Sequence, residues 1–164
     1  MASEIRGSDN FDTGKAVLQV VHVDNTTVLN STSTSFVDVF EAVITPTSTS
    51  STILVVASLS VSHANSNSFL GTVLRNGTAI GGGAAGAGST IANIWWNIRN
   101  TVYGAMTHTA QYLDSPASTS AQTYKVQGRN SASSTFVING ASSGTTSAYG
   151  SQTASSITLM EIAS

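Results

Sequence analysis

The sequence has no cysteine, which excludes disulfides, zinc–thiolate sites, iron–sulfur clusters and a cysteine nucleophile. It is also poor in charge: 9% of residues are Asp, Glu, Lys or Arg, against roughly 25% in average globular domains. Only six are Lys or Arg and the formal net charge is −2, which excludes the basic surface of a typical nucleic-acid-binding protein. No apolar run approaches the roughly 20 residues that a membrane helix needs. Met1 to Asn10 is polar and lacks the apolar stretch of a secretory signal. Helix-favouring Glu, Lys and Gln are scarce, so little in the chain promotes helices.

What the chain does have is serine and threonine, 27 and 22 of 164 residues, with 14 glycines and 11 asparagines. Disorder does not follow, because 40% of residues are hydrophobic and arrive in short clusters rich in Val, Ile and Thr. The balance favours strands joined by polar turns, in one domain long enough to bury an ordinary core. Residues 1–14 read as an arm outside that domain, which spans 15–164. Five of the 14 charges fall within the first 15 residues, and Ile5 and Phe11 are the only large apolar side chains after Met1 there.

Strands are expected over Lys15–Val23, Phe36–Ile44, Ile53–Val61, Phe69–Leu74, Thr78–Ile80, Ile91–Tyr103, Met106–Leu113, Thr123–Gln127, Thr135–Ile138 and Ile157–Ile162. Pro46 closes the second run, because proline cannot donate to a central ladder. Asn76-Gly77 between apolar runs is a hairpin signal, since both residues tolerate positive φ. Gly81 to Gly88 reads as a glycine–alanine loop. Ile157, Leu159 and Glu161 share one parity while Thr158, Met160 and Ile162 share the other. Two apolar faces so near the C-terminus predict a central strand. About ten short strands without an amphipathic helix predict an all-β sandwich or barrel.

Chemistry-bearing constellations are sparse. His22, His63 and His108 lie far apart without a His-x-His or His-Glu pair, so no metal site is expected. One arrangement is kept: a histidine on a three-fold axis supplies three imidazoles, and His108 alternates with Met106 and Ala110 on one strand face. No Gly-x-Ser-x-Gly elbow occurs among the many serines. The carboxylates of the domain body do not pair, and Asp24 and Asp114 read as turn residues. The glycine-rich loop lacks the Gly-Lys-Ser/Thr ending of a phosphate cradle. Trp95-Trp96 is the most informative pair. Adjacent strand residues face opposite sides, so one ring fills the core while the other meets solvent, a ligand or a neighbouring subunit.

Several segments form a familiar series: Gly14-Lys15-Ala16-Val17-Leu18-Gln19-Val20-Val21, Ser35-Phe36-Val37-Asp38-Val39, and Ile44-Thr45-Pro46 leading into Ile53-Leu54-Val55. It continues with Leu74-Arg75-Asn76-Gly77-Thr78-Ala79-Ile80-Gly81, Tyr112-Leu113-Asp114-Ser115-Pro116, Thr123-Tyr124-Lys125-Val126-Gln127 and Ser155-Ser156-Ile157-Thr158-Leu159-Met160-Glu161-Ile162. Across Gly14 to Ala163 the chain resembles small virion proteins and fibre-tip domains of tailed phages, of the marine and cyanobacterial type. The resemblance implies a jelly-roll-like β-sandwich similar to the tumour-necrosis-factor fold, assembled as a homotrimer, without cofactor or enzymatic activity. It implies a place on the virion surface, with phage capsid or tail proteins as partners.

Fibre-tip members follow a long shaft, whereas only 14 residues precede this domain. That favours a capsid decoration or cement protein, docked through the arm by Ile5, Arg6, Phe11 and Asp12. The alternative is a receptor-binding tip or adaptor of a tail or head fibre contacting host surface glycans. Trp95, Trp96, His108 and Met160 are the candidate residues for the trimer interface or ligand contact. Neither nucleic acid nor membrane insertion is expected.

Overall fold

A computed structural model describes residues 16–63, 67–83, 93–99, 104–141 and 152–164. These form eleven strands in two antiparallel sheets, with no helix among the described residues. The strands are β1 (Val17–Asn25), β2 (Leu29–Ser31), β3 (Val37–Ile44), β4 (Thr52–His63), β5 (Phe69–Arg75), β6 (Thr78–Ile80), β7 (Trp96–Ile98), β8 (Met106–Asp114), β9 (Gln122–Asn130), β10 (Phe136–Ile138) and β11 (Ser155–Ile162).

The first sheet runs β1·β11·β4·β8, and β2 and β10 continue β1 and β11 toward one end. The second runs β3·β9·β5, with β6 and β7 sharing the far edge of β5. Pairing is nested: β1 with β11, β3 with β9, β4 with β8, β5 with β6. Successive strands thus wrap around the sandwich as in a jelly roll. The all-β sandwich expected from composition and spacing is the observed fold. β11 is central, between β1 and β4, as its two apolar faces require.

The core lies between the sheets. Ile53, Val55, Ala57, Leu59 and Val61 of β4 alternate inward and are fully buried, with Ile157 and Leu159 beside them. Opposite stand Ile44, Val73, Tyr124 and Val126 of the second sheet. Phe69 and Phe136 meet edge to face across the layers, with ring centroids 5.0 Å apart. Phe69 fits because Gly71 and Gly128 face each other on β5 and β9. A Cβ at Gly128 would overlap the Phe69 ring, and one at Gly71 would meet Trp96 and Phe69. The β5–β6 hairpin turns at Asn76 and Gly77, at φ 48° and 86°, as the Asn-Gly signal predicts.

Three expectations are refined. Leu29–Ser31 lies between the expected strands, yet it forms β2 by pairing with β10. Within Ile91–Tyr103 only Trp96–Ile98 is a strand among the described residues. Asp114 is not a self-capping turn residue: it closes β8 with its carboxylate buried. The arm of residues 1–14 and most of the Gly81–Gly88 loop lie outside the described residues.

Candidate functional site

The two outer faces of the sandwich differ in chemistry. On the second sheet, Asp38 and Glu41 of β3 flank Lys125 of β9, whose Nζ lies 2.7 Å from Asp38 and 3.3 Å from Glu41. Hydrogen bonds from Gln127 and Lys125 hold the Asp38 carboxyl below its usual pKa. Arg129 lies over the Phe36 ring, 5.3 Å from its centroid. This is an ordinary solvated face.

The outer face of the first sheet carries one apolar row and is otherwise mostly neutral and polar. Directly paired residues of an antiparallel sheet point the same way. The register therefore lines up Val20, Met160, Leu54 and Leu113 as one row across β1, β11, β4 and β8. Val20 and Leu113 are 56% and 52% exposed. The next row is His22, Thr158, Val56 and Gln111, followed by Asp24, Ser156, Ser58 and Thr109. Asp24 is the only formally charged residue in these three rows, and its Oδ1 is 3.0 Å from His22 Nε2. His22 Nδ1 in turn meets Thr158 Oγ1 at 2.8 Å.

Each residue singled out in the sequence has a definite place. Met160 sits on the outer face, half-buried, inside the apolar row. Trp96 is the core tryptophan at 4% exposure, so a partner cannot touch it without opening the sandwich. Trp95 does not project outward. It lies half-buried at the edge between β6 and β8, where its Nε1–H donates to the Ile80 carbonyl at 2.6 Å. Its ring stands 5.7 Å from Trp96 and edge-on to Tyr112 at 6.2 Å. The alternation rule fails here because Trp95 precedes β7 and bends over the sheet edge. His108 pairs with Leu59 and so shares the inner face, away from Met160; its buried Nε2 has no hydrogen-bond partner among the described residues. Ile5, Arg6, Phe11 and Asp12 lie outside the described residues.

Comparison with protein-family models and with curated proteins finds no match to this chain.

Two buried carboxylates escaped the sequence reading, and both tie the framework behind the outer face. Asp114 of β8 accepts two bonds from Arg75 Nη1, at 2.8 and 2.7 Å, and one from the Tyr124 hydroxyl at 2.7 Å. It thereby joins the first sheet to β5 and β9 of the second. Burial, and then the bond to Asp114, push the Tyr124 phenol far above its ordinary value.

Glu161 of β11 is fully buried. It accepts from Gln19 Nε2 at 2.6 Å and from both N–H and Oγ1–H of Thr47 at 2.7 Å. Burial alone would raise its pKa, but the donated hydrogen bonds outweigh that and bring it from 4.5 down to about 2. The native state therefore favours the ionised form. Its stabilisation is fully present above the unfolded value of 4.5 and is lost as pH falls toward about 2. Urea unfolding of the wild type should lose on the order of 3 kcal/mol from this group across that window, at about 1.4 kcal/mol for each pH unit between the folded and unfolded values. Glu161→Gln should remove that part of the pH dependence.

Proposed function

We propose that this chain is a non-enzymatic structural protein of a tailed-phage virion, displayed on the particle surface as a homotrimeric capsid decoration, or cement, protein. The observation that carries the assembly is the outer face of the first sheet: an apolar row across four strands, bordered by neutral polar side chains and a single acid. A surface so lacking in charge can meet copies of itself without desolvating ions or opposing like charges. Cyclic homo-oligomers are the common form of such association. The virion setting rests on the ordered series of segments that resembles phage virion proteins.

The cement reading is preferred to glycan contact because Trp96 is in the core and the indole N–H of Trp95 is engaged by Ile80. Neither tryptophan offers a free ring face with a free donor to a sugar. In this reading residues 1–14 dock the trimer, with Ile5, Arg6, Phe11 and Asp12 as contacts. Three arms on one trimer would raise affinity by about 10² to 10⁴ over one arm through avidity.

Leu54→Lys tests the interface. Leu54 is half-buried on the outer face, so the monomer should stay folded while three ammonium groups enter the contact. Sedimentation at micromolar concentration should show a multiple of three chains for the wild type, little changed by high salt, and loss of that threefold assembly in the variant. A wild-type monomer would refute the interface. Antibody labelling of phage particles under the electron microscope tests the setting. Label over the heads is expected, and label confined to fibre tips would favour the adaptor. Particles without any label would overturn the virion assignment. Protein lacking residues 2–13 should fold and trimerise yet fail to attach to particles stripped of it.

A further inference from the structure

β8 is the outermost strand of the first sheet. It pairs with β4 over nine consecutive residues, from Ile53↔Asp114 to Val61↔Met106, without a bulge. Its other edge carries no strand among the described residues. Soluble proteins usually blunt such edges with a bulge, a charge or a proline, because an open row of N–H and C=O groups templates another chain. The other long edge strands of this fold are protected in that way. β1 has a bulge at Val17/Gln19 and carries Asp24. β3 has a bulge at Asp38/Phe40, carries Asp38 and Glu41, and is soon followed by Pro46. From Met106 to Leu113, β8 has no charged residue, proline or glycine, and it is mostly exposed.

We propose that β8 pairs antiparallel with β8 of a second copy of this chain, about a two-fold axis at Ala110. That register sets Thr109 opposite Gln111, His108 opposite Tyr112 and Thr107 opposite Leu113. Polar meets polar on the outer side near the axis, an imidazole meets an aromatic ring on the inner side, and like charges nowhere oppose one another. Asp114, the one acid of the strand, is already engaged by Arg75 and Tyr124. The pairing would join two sheets into one through a seam of roughly 30 Å, the length of nine extended residues. A slip by one residue would turn the inner-facing side chains of one copy toward the outer face of the other, so the pleat excludes such registers. The seam uses a strand edge, whereas the trimer contact uses a sheet face. The seam's bonds are backbone bonds of the strand edge, and they can form whether or not the face contact does.

Thr109 and Gln111 are exposed, and the Thr109 hydroxyl makes one bond, 3.0 Å to Ser58 Oγ. The double variant T109K/Q111K sets ammonium opposite ammonium twice across the axis, and T109E/Q111E does the same with carboxylates. Each alone should weaken the seam by at least about 100-fold. Both are made in the Leu54→Lys background, where the face contact is already broken, because Thr109 and Gln111 also lie on the outer face. The parent should sediment as a dimer and either combined variant as a monomer, with circular dichroism unchanged. An equimolar mixture of the two variants should restore the dimer. Wild type should contain an even number of chains. A monomeric Leu54→Lys parent, unchanged mass in the lysine variant, or no recovery on mixing would overturn the proposal. So would hydrogen exchange showing β8 equally protected in the parent and the lysine variant, because the chain's own residues would then cover the edge.

Discussion

Asp114→Ala should lower the unfolding free energy by about 3 kcal/mol or more, the cost of breaking a buried, hydrogen-bonded charge pair. The carboxylate is 5% exposed and accepts three bonds from two strands of the opposite sheet. Its removal leaves the fully buried Tyr124 hydroxyl without its acceptor, which adds the desolvation penalty of an unmade bond. The Arg75 side chain keeps some access to water, which limits the loss on that side. Asp114→Asn separates the contributions: its carbonyl oxygen still accepts from Tyr124, while the ion pair is gone, so it should fall between wild type and Asp114→Ala. Urea denaturation at neutral pH measures both. Equal stability of the alanine variant and wild type would show that the tie between the sheets contributes nothing.

Asn139→Ala should cost a similar amount, about 3 kcal/mol, for a different reason. The first sheet contains a strand that is interrupted: β10 ends at Ile138 and β11 resumes the line at Ser155. Asn139 occupies the break, fully buried, at φ 61°. Its Nδ2 donates to the carbonyls of Asn25 and Thr27 at 2.8 and 3.0 Å, where β1 gives way to β2. Its Oδ1 accepts from Ser155 Oγ at 2.6 Å, and its backbone N–H reaches the Ser60 carbonyl. One side chain thus satisfies backbone groups left unpaired on the edge strand. Alanine removes these bonds and must also hold the left-handed conformation, a strain of roughly 1–2 kcal/mol. Asn139→Gly should recover that strain and nothing more. Asn139→Asp should be the worst at neutral pH, because a carboxylate would face two carbonyl oxygens, and should partly recover when acid protonates it. Hydrogen exchange at residues 25–31 should rise in every variant.

The same interruption leaves the outer face continuous. Because β11 runs unbroken between β1 and β4 from Ser156 to Ile162, Met160 is aligned with Val20 and Leu54. A weakened Asn139 anchor should therefore loosen the β2 end of the sheet before it disturbs the apolar row.

Local pattern determined much of this fold before any tertiary contact is considered. The alternation of Ala57, Leu59 and Val61 with serines locates β4, and Asn76-Gly77 fixes the hairpin, because pleat and turn geometry act over two to four residues. The two apolar parities of residues 157–162 already require a strand covered on both faces. That requirement put Met160 among the interface candidates, and Met160 lies on the outer face.

The tertiary structure alone decided which polar residues are anchors. Arg75 and Asp114 are 39 positions apart, and Thr47 and Glu161 are 114. Such partners meet only when the nested pairing brings distant strands to one end of the sandwich. β2 is a strand only because β10 arrives beside it, and the Trp95 ring turns to the edge because β7 begins one residue later. A sequence specifies alternation along a strand, and the neighbour of that strand is set by the topology of the whole chain. The apolar residues of the outer face were therefore legible one by one. Their union into a row, opposite a second face that is charged, required the register of four strands.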